Sequence, residues 1–168
     1  MIKTKKQKKV LERLLKISKS EFGDHYPFAG KAFMDLGKQW FLCPYYFVGL
    51  NEPLTEFENS DDGFPMLNFC KNAYPTSPVT TPDVRLMEKY LRVHAPEDRK
   101  GLTFSFGFAH FNFRFLLDLL IVFPDAKLYH SGRWNDPLWF LSKDGYGYLL
   151  PKRPLKDGKI PLATVLEV

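Results

Sequence analysis

Cysteine is scarce in this chain of 168 residues: Cys43 and Cys70 stand alone, without a CxxC spacing, which argues against a disulfide framework and against a cysteine zinc site. Both are expected to be small core residues. Long apolar runs are missing as well, since no stretch reaches the roughly 18 uninterrupted apolar residues of a membrane span. The start, MIKTKKQKKVLERLLKISK, is basic but lacks the apolar core and small-residue cleavage site of a signal peptide. A soluble, cytoplasmic protein with no membrane partner is expected.

Catalytic and metal motifs are equally sparse. The four histidines, His25, His94, His110 and His130, form no HxxxH, HExxH or His and Cys cluster. No Walker sequence, GxGxxG or GxSxG is present, and the GYG of DGYGY suits the end of a hairpin better than a phosphate cradle. The NSDDG stretch with Asp61 and Asp62 lacks the ligand spacing and closing Glu of an EF-hand loop. No catalytic residue, metal or cofactor is therefore expected, and a binding or scaffold role is favoured over an enzyme. An enzyme built without a local motif would draw first on His25, Asp35, His94 and His110.

What is present points to one mixed domain. A hydrophobic content of 45% in a chain of this length suits a single core, and 16 Phe, 8 Tyr and 3 Trp make that core aromatic. Thirteen Pro and 11 Gly imply many turns rather than a plain helical bundle. The net charge of +5 is unevenly placed: residues 1 to 20 hold eight Lys or Arg against Glu12, a local +7, leaving 16 basic and 18 acidic residues, or −2, in the remainder. Basicity belongs to one segment, where a solvated helix face competes with contact to nucleic acid.

That segment, Lys3 to Ser20, repeats apolar Val10, Leu11, Leu14, Leu15 and Ile17 at helical spacing, with Lys5, Lys9, Arg13 and Lys16 on another face. KAFMDL and KQWFLCPYYFVGL read as two or three strands split by Gly37 and Pro44, followed by a loop from Asn51 to Gly63. The proline-rich stretch from Phe64 to Asp83 is expected to be an irregular connector. A short helix then starts with Thr81 as N-cap and Pro82 at its first position, turning Leu86, Tyr90 and Val93 inward, until Pro96 ends it. LTFSFGF reads as a strand alternating through Leu102, Phe104, Phe106 and Phe108. Asn112 is placed to cap a helix from Phe113 to Phe123, and AKLYHSG, PLWFLS and YLLP follow as strands, the last pair joined by an Asp-Gly turn.

The helix from 113 to 123 is unusual in having only Arg114 and Asp118 against nine apolar residues. It is predicted to be a core element, covered by the N-terminal helix, by the tail from 154 to 168 or by another subunit. In that tail Ile160, Leu162, Val165 and Leu166 are apolar enough to fill a groove or add an edge strand.

Phe111, Asn112, Phe115, Leu116, Leu117, Asp118 and Leu120 match a Phe-Asn-x-x-Tyr-Leu-Leu-Asp-x-Leu helix start with Phe for Tyr, and PLWFLSKDGYGYLLPKR follows as a closing hairpin. Over about 50 residues this resembles the last βαβββ module of the bacterial DNA polymerase III sliding clamps, and YYFVGLNEPL is weakly similar to clamp-like proteins of phages and mobile elements. The resemblance implies an α+β clamp-like single domain, 1–168, of two helix-plus-antiparallel-sheet half-modules at about 1–75 and 100–153, with 76–99 as connector and 154–168 as tail. It also implies a partner-peptide groove at Leu150, Pro151, Lys152 and Arg153, for replication or repair proteins. Sequence-independent contact with duplex DNA is expected from Lys5, Lys9, Arg13 and Lys16. One domain per chain would need several copies to close a ring.

Overall fold

The computed structural model describes residues 2–70 and 77–152, and these form a mixed α+β domain. Its first helix, α1 (Lys5–Phe22), begins with a capping box: Thr4 Oγ1 accepts from the Gln7 N–H at 3.1 Å while Gln7 Oε1 accepts from the Thr4 N–H at 3.0 Å. Gly23, at φ 58°, ends it. Val10, Leu11 and Leu14 are buried on one stripe, as their spacing predicts.

Strands β1 (Ala32–Asp35), β2 (Lys38–Leu42) and β3 (Tyr46–Leu50) follow as antiparallel neighbours. The β1–β2 turn is Leu36 and Gly37, both left-handed, the combination that matches strand twist in a two-residue hairpin. The loop after Leu50 contains a two-residue strand, β4 (Asn59–Ser60), parallel to β1. The proline-rich connector contributes a single-turn helix, α2 (Leu67–Cys70), and another two-residue strand, β5 (Pro78–Val79). Helix α3 (Val84–Arg92), a 3-10 turn at Arg99–Gly101, the hairpin β6 (Thr103–Phe106) and β7 (Ala109–Asn112), helix α4 (Phe113–Val122), and strands β8 (Lys127–Tyr129), β9 (Leu138–Ser142) and β10 (Gly145–Leu149) complete the chain of elements.

Eight strands make one sheet in the order β4-β1-β2-β3-β10-β9-β8-β5, while β6 and β7 pair separately. The order is mirrored about the central β3–β10 pair: β3-β2-β1 on one side, β10-β9-β8 on the other, each triplet preceded in the chain by a helix, α1 or α4. Two close approaches fix that centre. A Cβ on Gly145 would lie 1.9 Å from the Gly49 carbonyl oxygen, and one on Gly49 would lie 2.5 Å from the Trp40 ring.

Both faces of the sheet are buried, so its strands read as nearly continuous apolar runs. The helix face collects Phe41, Tyr46, Val48, Leu138, Phe140 and Leu149 against α1 and α4. The opposite face is aromatic: Phe33, Trp40, Phe47 and Trp139, joined by Tyr146 and Tyr148 and covered by Phe28, Phe64, Met66 and Phe69. Leu116, Leu119 and Leu120 of α4 are buried, enclosed by the sheet, α1, α3 and the β6–β7 hairpin. The cover of this apolar helix includes elements that its sequence pattern did not suggest. Among the described residues no helix is long and apolar enough to cross a membrane.

Three expectations need correction. The N-cap of α3 is Asp83, whose Oδ1 accepts from the Leu86 N–H at 3.0 Å, whereas Thr81 Oγ1 donates to the Ala126 carbonyl at 3.4 Å. A charged acceptor one residue from the proline takes the cap. Leu86 and Val93 are exposed, at 51% and 72%, because packing on α4 selects the Met87 and Leu91 stripe from two apolar stripes of equal spacing. Phe108 is 81% exposed: Gly107 and Phe108 form the tip of a hairpin, and the alternation that begins at Leu102 stops there.

Candidate functional site

An aromatic cleft opens at the end of the sheet where β2 turns into β3 and β10 finishes. The turn is closed by the Cys43 N–H donating to the Tyr46 carbonyl at 3.1 Å. Phe22, the last residue of α1, packs edge-on against Tyr26 and Phe28 at centroid distances of 5.3 and 5.5 Å. Phe64 and Phe69 approach from the connector at 5.6 Å from each other, and Tyr148 stands 6.1 Å from Phe69. With Leu42, Pro44 and Leu150 they enclose about 190 Å³. Among the described residues no charged side chain lines this space. Burial pushes the Cys43 thiol up to about 11, although backbone hydrogen bonds at Tyr45 and Tyr46 oppose the shift, so its sulfur is a neutral wall rather than a nucleophile.

The volume decides what can enter. A cavity of about 150 Å³ accommodates a benzene-sized group, whereas cofactor pockets run to about 300–1,000 Å³. The cleft therefore suits one bulky apolar side chain. It draws on four separate stretches of chain, and of its lining only Leu150 was legible beforehand as a site residue. The remaining signal was the presence of Phe22, Tyr26, Phe64 and Phe69 in turn-rich segments too irregular to bury them as strands.

Of the four consecutive residues expected to bind a peptide, Leu150, Pro151 and Lys152 are described, and their surroundings differ. Leu150 lines the cleft, its N–H bonded to the Tyr45 carbonyl at 3.0 Å. Pro151 is half-buried and outside the lining. Lys152 turns to the β6–β7 hairpin: its N–H donates to the His110 carbonyl at 2.7 Å and its Nζ to Thr103 Oγ1 at 2.8 Å and the Leu102 carbonyl at 3.3 Å. Burial lowers the pKa of that amine. Arg153 and the tail from 154 to 168 lie outside the described residues.

The basic residues of α1 also divide. Lys5, Lys9 and Lys16 are exposed and pair with no acid among the described residues. Arg13 instead reaches inward, its Nη2 2.7 Å from Oδ1 of Asp118, which also lies 3.3 Å from Arg114 Nε. Burial raises the Asp118 pKa, and the two guanidiniums pull it back only in part. The Tyr46 hydroxyl and Arg13 Nε, both buried, have no hydrogen-bond partner among the described residues beside this cluster. Arg13 thus joins α1 to α4.

The residues proposed for a motif-free enzyme are dispersed. His25 is exposed in the turn after α1; Asp35 Oδ2 accepts from the Met66 N–H at 2.9 Å; His94 Nδ1 lies 2.9 Å from the Tyr90 carbonyl. His110 Nδ1 lies 2.7 Å from Ser105 Oγ, a nucleophile-to-base distance, but the two are cross-strand partners in the β6–β7 hairpin, and among the described residues no carboxylate bonds the imidazole. Among the described residues no group of three His, Cys, Asp or Glu is placed to hold a metal ion. No family model matches the chain, and neither a curated protein nor a solved structure matches it.

Proposed function

We propose that this chain is a non-catalytic, clamp-like module of DNA replication or repair that captures a bulky apolar side chain of a partner protein in the aromatic cleft. The observation that carries the reading is the position of the cleft: an aromatic cavity of about 190 Å³ beside Leu150, where the sliding-clamp resemblance expects a peptide groove. The mirrored order of the sheet, with one helix before each strand triplet, is the second support. Sequence-independent contact with duplex DNA is assigned to Lys5, Lys9 and Lys16, which touch phosphates without reading bases. Arg13 is left out because Asp118 holds it.

A single copy is the acting unit in this reading. Among the described residues the outermost strands, β4 and β5, have two residues each and offer little edge for a second copy to extend.

Selection of a random peptide library against the wild-type chain tests the proposal. Enriched peptides are expected to share one large apolar residue and to bind the Leu150→Glu variant at least about tenfold more weakly, the loss typical of an anchor residue. Leu150 is partly exposed, so this variant keeps its fold. Peptides that bind both proteins equally would remove the cleft from the account.

A further inference from the structure

Helix α3 carries a second row of positive charge. Arg85, Lys89 and Arg92 are exposed and recur at intervals of four and three, a single helical face. None pairs with an acid among the described residues. Helix α1 has seven basic residues against two acidic and α3 three against one, so the two together hold +7 while the rest of the chain sums to −2.

The two rows face the same way. Gln7, near the start of α1, donates to the Val122 carbonyl at the end of α4, so α1 runs antiparallel to α4. Thr81, just before α3, bonds to Ala126 beyond the end of α4, while Tyr90 sits 5.5 Å from Phe113 at its start. Helix α3 is therefore also antiparallel to α4 and parallel to α1. A Lys6–Glu88 ion pair of 2.6 Å links the flanks of the two helices. At 100° per residue, Lys5, Lys9 and Lys16 lie opposite the buried stripe of α1, and Arg85, Lys89 and Arg92 lie opposite Met87 and Leu91 of α3. Both rows therefore point to solvent on the helix side of the sheet, separated by at most two helix-packing distances, about 20 Å.

We infer that α1 and α3 form two basic rails for the phosphates of double-stranded nucleic acid, an inference that rests on the DNA contact proposed for α1 and adds α3 to it. Single strands are disfavoured because no exposed aromatic residue stands in either helix to stack on bases. An anionic membrane is disfavoured because the apolar stripes of both helices are spent on the core. Leu86 and Val93 are exposed, but they lie about a quarter-turn off the α3 row on the side away from Glu88 and α1.

Fluorescence anisotropy with a labelled random duplex of about 25 base pairs, at several salt concentrations, tests this. The wild-type log–log salt slope should be about −5 if all six side chains engage, and the variant Arg85→Gln, Lys89→Gln, Arg92→Gln should bind at least about tenfold more weakly with a slope smaller by about 3. The variant Lys5→Gln, Lys9→Gln, Lys16→Gln should behave alike. Full duplex binding by the α3 variant, with loss in the α1 variant alone, would overturn the inference and leave the α1 contact standing. Full binding by both variants would overturn the two together. Tighter binding to phosphatidylserine vesicles than to duplex would assign the rails to a membrane and overturn it as well.

Discussion

Asp118 is the residue on which the joint between α1 and α4 turns. Its carboxylate is buried and shared by Arg13 and Arg114, and both guanidiniums reach solvent on their far sides. Replacement by Ala leaves two cations without their acceptor and is expected to cost about 2 kcal/mol, the scale of hydrogen bonds to a charged group. The pH dependence has a definite sign. Burial holds the folded pKa above the unfolded value, so as pH falls the folded chain takes up this proton before the unfolded chain does. The contribution of Asp118 therefore becomes more favourable as pH drops through its raised pKa and levels off below the ordinary carboxylate value. Urea melts of wild type and Asp118→Ala across that window should show the cost of the substitution growing toward low pH; a constant difference would mean that Asp118 titrates normally. The sequence made Asp118 conspicuous as one of two charges in an apolar helix, yet its partner on α1 was read as a DNA contact. A long arginine at the border of a basic row satisfies both readings until a buried acid beside it is known.

At the scale of elements, periodicity and turn chemistry were legible wherever they were strong. The Asn112 cap is where it was expected, with Oδ1 accepting from the Phe115 N–H at 3.0 Å, and a turn at Leu36-Gly37 splits the first strands at Gly37, but the expected Asp-Gly turn falls one residue earlier, on Lys143-Asp144, with Gly145 opening β10. Strands β4 and β5 were hidden because two residues have no period, and β7 because the apolar alternation of β6 runs into the tip at Phe108. Helix α3 shows how tertiary contact chooses between two equal stripes. Met87→Ala should cost about 2–4 kcal/mol, as for a buried methionine in a close-packed core, while Leu86→Ala one position away should stay within about 0.5 kcal/mol. Thermal or urea unfolding of the two variants separates them. Equal losses would place the inward face of α3 elsewhere.

The whole molecule is a sheet buried on both sides, aliphatic and helical on one face, aromatic and loop-covered on the other. Its α+β class was legible from composition and pattern; the cleft was not, because it exists only where four distant stretches meet. The same architecture bears on assembly. With two-residue strands outermost among the described residues, sedimentation velocity should find one species of 19.6 kDa at micromolar concentration. A hexamer or another closed ring would show that a different surface drives association. The central claim is that the cleft beside Leu150 receives a partner's apolar side chain, and amide NMR of the wild-type chain titrated with a selected peptide tests it most directly. The predicted result is saturable shifts at Phe22, Tyr26, Phe69 and Leu150 with none at the Leu36-Gly37 turn. Shifts confined to α1 and α3, or scattered without saturation, would contradict it.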